Sequence, residues 1–291
     1  MIQDISPYRF NNRYMPDMRP DGESQIVFFN DGKLLLKIDA AGEEVSFPKL
    51  KEISPEKIPE LTYLFYIDED VFFLADTLEM AGTDILNIIP KGYSFYELRR
   101  IMSMDLEPKR YMFAAFTAYQ LADWYVKNIY CGHCGTKVMK DLLERAVVCP
   151  KCRNKIYPRI NPAVIVGITN GDRLLLTKYR TGFAHNALVA GFAEIGETIE
   201  ETVMREVMEE TGLMVKNIRY YKSQPWGIAS DLLIGFFCDV DGNDTIHMDK
   251  SELKYAEWVK RENIELQPYD YSLTNEMMRI FKESKENSET K

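Results

Sequence analysis

Three glutamates on one short stretch carry the clearest chemical signal: Glu206, Glu209 and Glu210 stand at i, i+3 and i+4. On a helix that spacing sets their carboxylates at neighbouring points of one face. The flanking residues predict such a helix over 199–211. Thr198 with Glu201 makes a capping box, and Gly212 stands where a C-cap glycine belongs. Val203 and Val207 lie beside the acidic stripe and can anchor the helix to a core. Like charges at this spacing repel by roughly a few tenths of a kcal/mol per pair, so a cation is called for. Hard divalent ions such as Mg²⁺ or Mn²⁺ take oxygen ligands and bridge phosphate oxygens, which suits them to the position. Taken alone, the spacing more often marks a solvated face, and the surrounding residues have to decide.

A second signal is Cys131-x₂-Cys134-x₁₄-Cys149-x₂-Cys152, the spacing of a tetrahedral Cys₄ zinc site. Four thiolates fill the shell, so one structural Zn²⁺ is expected and His133, between the first two ligands, is left outside it. Cys238, in an apolar run, reads as a small core residue. Paired Cys-x-x-Cys motifs fit metal binding in a reducing cytosol better than disulfides, and the expected compartment is cytoplasmic.

The elements that must position these groups follow from pattern. At 291 residues, two or three units are expected, and 46% hydrophobic with 28% charged residues is ordinary for a globular chain. A net charge of −9 argues against a general nucleic-acid binder, yet a nucleotide site remains open because metal ions neutralise local carboxylates. No apolar run reaches membrane-spanning length, and Met1-Ile2-Gln3-Asp4-Ile5-Ser6 lacks the marks of a signal peptide, so no membrane partner is expected. Strands are predicted at Gln25–Phe29 and Lys33–Ile38 around Asn30-Asp31-Gly32, and at Thr62–Asp68 and Val71–Ala75. Ser94-Phe95-Tyr96-Glu97 has the form of a capping box and predicts a helix start, with a longer helix over Lys109–Lys127. Residues 1–128 therefore read as an N-terminal α+β domain and 129–158 as a zinc ribbon. Further on, Ala163–Thr169 and Arg173–Lys178 flank an Asn170-Gly171 turn, and Leu232–Val240 reads as a buried strand. Residues 284–291 form a polar tail, expected to fray.

Gly191, five residues, Glu197, seven residues, then Arg205-Glu206-Val207-Met208-Glu209-Glu210-Thr211-Gly212-Leu213 fills the fixed places of the Nudix signature. The chain thus resembles Nudix hydrolases. The resemblance implies an α/β/α sandwich around a mixed sheet over residues 159–283, giving an α/β fold class overall. It implies that Glu206 and Glu210 are metal ligands with Glu209 close by, and that the Ala190 carbonyl completes a metal shell. It also implies that Arg205 pairs with Glu197, with Gly191 and Gly212 as structural positions. Catalysis would be metal-assisted attack of water on a phosphorus of a pyrophosphate, more than one Mg²⁺ or Mn²⁺ taking part. Glu206, Glu209 and Glu210 are the catalytic candidates, and which of them is the general base stays open.

The order of an α+β domain, a ribbon and a Nudix domain, with Ser223-Gln224-Pro225-Trp226 after the box, is similar to the NADH pyrophosphatases, also called NAD-capped RNA hydrolases. Their motif continues with Pro-Phe-Pro, one residue and Ser. Here it reads Gly227-Ile228-Ala229-Ser230-Asp231, a less rigid and less apolar stretch. That family implies substrate contacts at Gln224, Pro225, Trp226 and Asp231, at Glu144, and at base-stacking aromatics Tyr157 and Phe192. It implies Glu252 as a downstream metal ligand, Trp258 supporting the register, and a homodimer. His185 is open to two readings, a phosphate contact or a structural histidine. The expected activity is cleavage of NAD(H) to nicotinamide mononucleotide and AMP, and of NAD-capped RNA 5′ ends as a second activity. The alternatives are a broader dinucleotide hydrolase for ADP-ribose or diadenosine polyphosphates, and a non-catalytic Nudix nucleotide-binding regulator.

Overall fold

The computed structural model describes residues 1–53, 60–75, 88–181 and 185–284. The chain divides into two compact units, one of residues 2–159 with 227–229, the other of Met1, 160–226 and 230–291. The expected polar tail at 284–291 lies almost wholly outside the described residues. Among the described residues no helix is long and apolar enough to cross a membrane.

The first unit opens with β1 (Phe10–Asn11), β2 (Gln25–Val27), β3 (Phe29–Asn30), β4 (Lys33–Ile38), β5 (Val45–Ser46), β6 (Leu61–Ile67) and β7 (Asp70–Ala75). The Asp-Gly turn forms as expected, with Asp31 and Gly32 both at positive φ. The strand before it, however, is broken at Phe28. β3 pairs with β4, whereas β2 runs parallel to β7 in a separate sheet ordered β1-β6-β7-β2. Ser94–Glu97 is a correction: it forms a strand, β8, antiparallel to β4, and α1 (Leu98–Ile101) is a single turn after it. Ser94 makes no cap here, because the cross-strand partner Leu36 claims that backbone instead. α2 (Lys109–Lys127) follows and buries Met112, Phe116, Leu121 and Trp124.

β9 (Met139–Lys140), β10 (Val147–Val148) and β11 (Lys155–Ile156) make a small antiparallel sheet around the cysteines. Strands of two residues bury almost nothing by themselves. Side chains tie this sheet to the rest of its unit. The Arg145 guanidinium donates through Nη2 to the Leu64 carbonyl at 2.5 Å and lies 5.3 Å from the Tyr14 ring. The Tyr14 hydroxyl donates to the Asp141 carbonyl at 2.7 Å, and Lys140 Nζ reaches Glu60 and Thr62.

The second unit holds β12 (Asn161–Asn170), β13 (Arg173–Tyr179), β14 (Val189–Phe192), α3 (Ile199–Thr211), β15 (Val215–Trp226), β16 (Asp231–Val240), β17 (Leu253–Lys260) and α4 (Leu273–Lys282). The sheet is mixed, ordered β15-β16-β12-β13-β17, with β12 parallel to β16 and the other pairs antiparallel. β12 is buried along nearly its whole length, as a strand covered on both faces must be. Its hairpin with β13 is paired only at the turn, and β14 takes the edge along Ala163–Val166. Strand parity sorts the two faces. Val164, Val166, Ile168 and Leu175 pack with Val203 and Val207 of α3, while Ile165, Leu174 and Leu176 pack with Leu273, Met277 and Phe281 of α4. This is the sandwich expected of a Nudix domain.

α3 begins and ends where its caps predict. Thr198 accepts from the Glu201 amide, the Glu201 carboxylate accepts from the Thr198 amide, and Gly212 closes the helix at φ 69°. Val203 and Val207 are fully buried, each contributing about 1.5–2 kcal/mol by transfer from water. Val207→Ala should lower unfolding stability by about 2 kcal/mol, read as a lower urea midpoint at unchanged m-value.

Candidate active site

α3 sets its three glutamates in unequal surroundings. Glu210 is 3% exposed, and the Glu206 side chain is 13% exposed, whereas that of Glu209 is 60% exposed. Arg205 supplies part of the positive charge that the acidic face requires. Its Nη1 lies 2.7 Å from Glu206 Oε1 and 3.0 Å from Glu209 Oε2. Its Nε and Nη2 hold the two oxygens of Glu197 in a fork, at 2.5 and 2.9 Å, and Nη2 also donates to the Phe192 carbonyl. The Arg205 fork and the Glu194 amide hold the Glu197 carboxyl down at about 2. Glu197 is thereby a hub of the loop before α3, bonded to Glu194, Thr202 and Arg205.

Glu210 has no such partner. Burial pushes its carboxyl up to about 8, and the neighbouring Glu206 and Glu252 carboxylates add to the rise against the Ala190 amide. Its Oε1 accepts from the Tyr179 hydroxyl at 3.3 Å, which also lies 3.5 Å from the Ala190 carbonyl. Its Oε2 is buried with no hydrogen-bond partner. Burial likewise raises Glu206, with Arg205 opposing and Glu209 and Glu252 adding. A buried carboxylate oxygen left without a donor, faced by two more carboxylates, fits a divalent cation. Exposed Glu252, in the turn before β17, is near enough for its charge to raise Glu210. Among the described residues no three carboxylates bring donor atoms within 4.8 Å of one another.

Gly191 is explained by close approach. A Cβ at 191 would overlap the Glu206 carboxylate, so any side chain there displaces the acid from its place beside β14. Gly212 combines its positive φ with the nearby His247 Cβ, 2.8 Å from where a Cβ would sit.

The four cysteines meet the test for zinc. Their Sγ atoms lie within 4.8 Å of one another, with Cys131–Cys152 at 3.5 Å, Cys134–Cys149 at 3.4 Å and Cys134–Cys152 at 3.6 Å. A tetrahedron with Zn–S of about 2.3 Å has edges of about 3.8 Å. No disulfide forms, and His133 is exposed outside the cluster. Cys238 is a core residue, fully buried, its thiol pushed up to about 12 by burial.

The remaining candidates divide. Phe192 is exposed beside the box, with its carbonyl on Arg205. Pro225 is exposed and Trp226 half-buried at the end of β15, where Trp226 pairs with Asp231. Asp231 is buried and accepts from Asn161 Nδ2 at 3.3 Å. The Gln224 amide is completely buried, donating to the Tyr271 carbonyl at 2.6 Å and accepting from the Leu273 amide at 2.7 Å, so it pins the start of α4. Gly227 lies in the other unit, where a Cβ would overlap the Phe116 carbonyl of α2. Tyr157 and Glu144 also belong to that unit and bond to each other at 2.6 Å, with Lys155 on Glu144 at 2.9 Å. Trp258 donates from Nε1 to the Asp244 carbonyl, and His185 is exposed. Tyr179, which contacts both Glu210 and Ala190, is absent from the sequence reading. No motif marks it, but its parity with Leu175 places it on the α3 face of β13.

Residues 159–279 match the NUDIX domain, and residues 23–124 match the NADH pyrophosphatase-like rudimentary NUDIX domain. The chain thus carries a Nudix domain beside an NADH pyrophosphatase-like one. Among its relatives, the NAD-capped RNA hydrolase NudC of Shigella dysenteriae serotype 1 is 40% identical over 168 residues, 57% of this chain and 64% of that protein. The enzyme of the same name from Klebsiella pneumoniae is 40% identical over 174 residues, 59% of this chain and 65% of that protein. These alignments span a little under two thirds of the relatives' own length. A solved NUDIX hydrolase from Nitrosomonas europaea is 23% identical at a TM-score of 0.45, covering 53% of this chain and 90% of that one.

Two outcomes check this Nudix site and its neighbour. Gly191→Ala should weaken Mn²⁺ binding by at least about tenfold while the chain stays folded, as titration calorimetry and circular dichroism will report. Cys149→Ser should remove one equivalent of zinc per chain, measured by elemental analysis, and lower the melting temperature.

Proposed function

We propose that the chain hydrolyses the pyrophosphate linkage of NAD(H)-type dinucleotides, yielding nicotinamide mononucleotide and AMP. The observation that carries the reading is the orphaned Oε2 of Glu210, buried beside Glu206 and within the influence of Glu252, on the Nudix helix. Relatives named NAD-capped RNA hydrolase point to the dinucleotide.

Glu206, Glu210, Glu252 and the Ala190 carbonyl are the groups suited to hold Mg²⁺ or Mn²⁺. When bound, such ions orient and acidify a water and offset charge on the phosphoryl oxygens. The helix fixes Glu206, Glu209 and Glu210 along one line, and one of these three takes the proton of the attacking water. The water oxygen joins one phosphorus, the bond from that phosphorus to the bridging oxygen breaks, and the bridging oxygen leaves on the second phosphate. Arg205 holds the loop through Glu197 and keeps Glu206 and Glu209 from repelling freely. Exposed Phe192 offers a ring on which a base can stack, worth about 1–3 kcal/mol. The cysteine cluster is assigned one structural Zn²⁺. NAD-capped RNA ends, which present the same linkage, are a second substrate of this reading, in a cytoplasmic homodimer. Residues 1–128, 129–158 and 159–283 are taken as its three domains.

The stretch Gly227-Ile228-Ala229 favours a second reading, broader dinucleotide hydrolysis. A loop without the family's two prolines and phenylalanine grips a nicotinamide half less selectively.

Initial rates on NADH, NAD⁺, ADP-ribose, diadenosine polyphosphates and NAD-capped RNA, with products identified by mass, decide between the two. NADH should give the highest kcat/KM, and a clear preference for ADP-ribose would select the broader reading. Glu210→Gln should lower kcat by about 100-fold or more at unchanged fold.

A further inference from the structure

β13 ends in a register shift against β17: Lys178 pairs with Tyr255, but Tyr179 pairs with Leu253, so Lys254 is the extra residue. Bulges of this kind re-aim side chains and recur beside active sites. Here the shift falls between the last two residues of β13 and the turn that carries Glu252. Tyr179 directs its hydroxyl to Glu210 Oε1 and to the Ala190 carbonyl. The next residue, Arg180, holds the opposite side, its amide donating to the Glu252 carbonyl at 3.0 Å and its Nε to the Lys250 carbonyl at 2.5 Å. Two consecutive residues therefore touch all three chain segments that carry the candidate cation ligands outside Glu206.

The two oxygens of Glu210 differ in consequence. Oε1 takes the Tyr179 hydroxyl, and Oε2, buried, has no partner. A free carboxylate rotates about its terminal torsion and offers either oxygen. With one oxygen held by a phenol, only the other is presented, in one orientation. We infer that Tyr179 is a positioning residue: its hydroxyl locks Glu210 so that Oε2 alone faces the cation. This rests on the reading of Glu210 as a cation ligand. Partners that orient ligating groups from behind typically govern 10- to 100-fold in metal affinity, so an effect of about that size is expected.

Tyr179→Phe deletes the hydroxyl and keeps the ring. Binding of Mn²⁺ alone, followed by electron paramagnetic resonance of the free ion, should weaken by about 10- to 100-fold in this variant. At saturating Mn²⁺ its kcat should fall while KM for NADH stays within about twofold, since the phenol is turned to Glu210. In a Glu210→Gln background, Tyr179→Phe should have no further effect on Mn²⁺ affinity, because the carboxylate it orients is gone. Unchanged Mn²⁺ affinity in Tyr179→Phe, or equal losses with and without Glu210, would overturn the inference. If Glu210→Gln itself leaves Mn²⁺ binding intact, it is the assignment of Glu210 to the cation that fails. Should Tyr179→Phe not fold, Tyr179→Trp, which keeps an aromatic body and a donor, is compared with Tyr179→Leu, which has neither: higher Mn²⁺ affinity in Tyr179→Trp supports the role, and equal affinity refutes it.

Discussion

Glu210 is nearly without solvent, on a helix that also bears Glu206 and Glu209, with Glu252 facing it from the sheet. A carboxylate taken from water needs a proton, a set of donors or a cation, and the fold supplies only part of a donor set. Much of the surrounding architecture answers to that need. The capped α3 holds the three acids in line, two buried valines press the helix to the sheet, and β14 brings a backbone carbonyl to the same point.

Charge is divided between two devices on one face. Arg205 neutralises the outer half, where Glu206 and Glu209 meet it and Glu197 forks it from behind. The inner half, at Glu210, is left electrically open. An arginine placed there as well would satisfy the carboxylate and fill the space that Oε2 faces. Gly191 contributes sterically, since the place of its side chain is taken by Glu206.

What was legible in the sequence is what local chemistry determines. Caps, the helix between them, the Asp-Gly turn and the four-cysteine spacing all depend on neighbours a few residues away. Ser94–Glu97 misled because a capping box is a local signature, and the backbone of Ser94 was already claimed by Leu36 far earlier in the chain. The part Gln224 plays in fastening α4 was equally out of local reach, since Tyr271 and Leu273 lie 47 and 49 residues further on. Tyr179 carries no motif, because its partners arrive from β14 and α3, 11 and 31 residues away, and strand parity gives only its face. The second half of the sheet, β15 and β17, was hidden for a related reason. Their burial alternates irregularly, and bulges break the two-residue period.

The small cysteine sheet has strands too short to persist unaided, and Arg145 projects from it to the carbonyl of Leu64, over the Tyr14 ring. A guanidinium seated in this way is a rivet. Opening the ribbon by local unfolding strips a charge from its buried carbonyl contact, so the ribbon does not breathe as a separate module. The rivet joins the ribbon to the sheet of β6 through side-chain contacts that its own short strands do not supply.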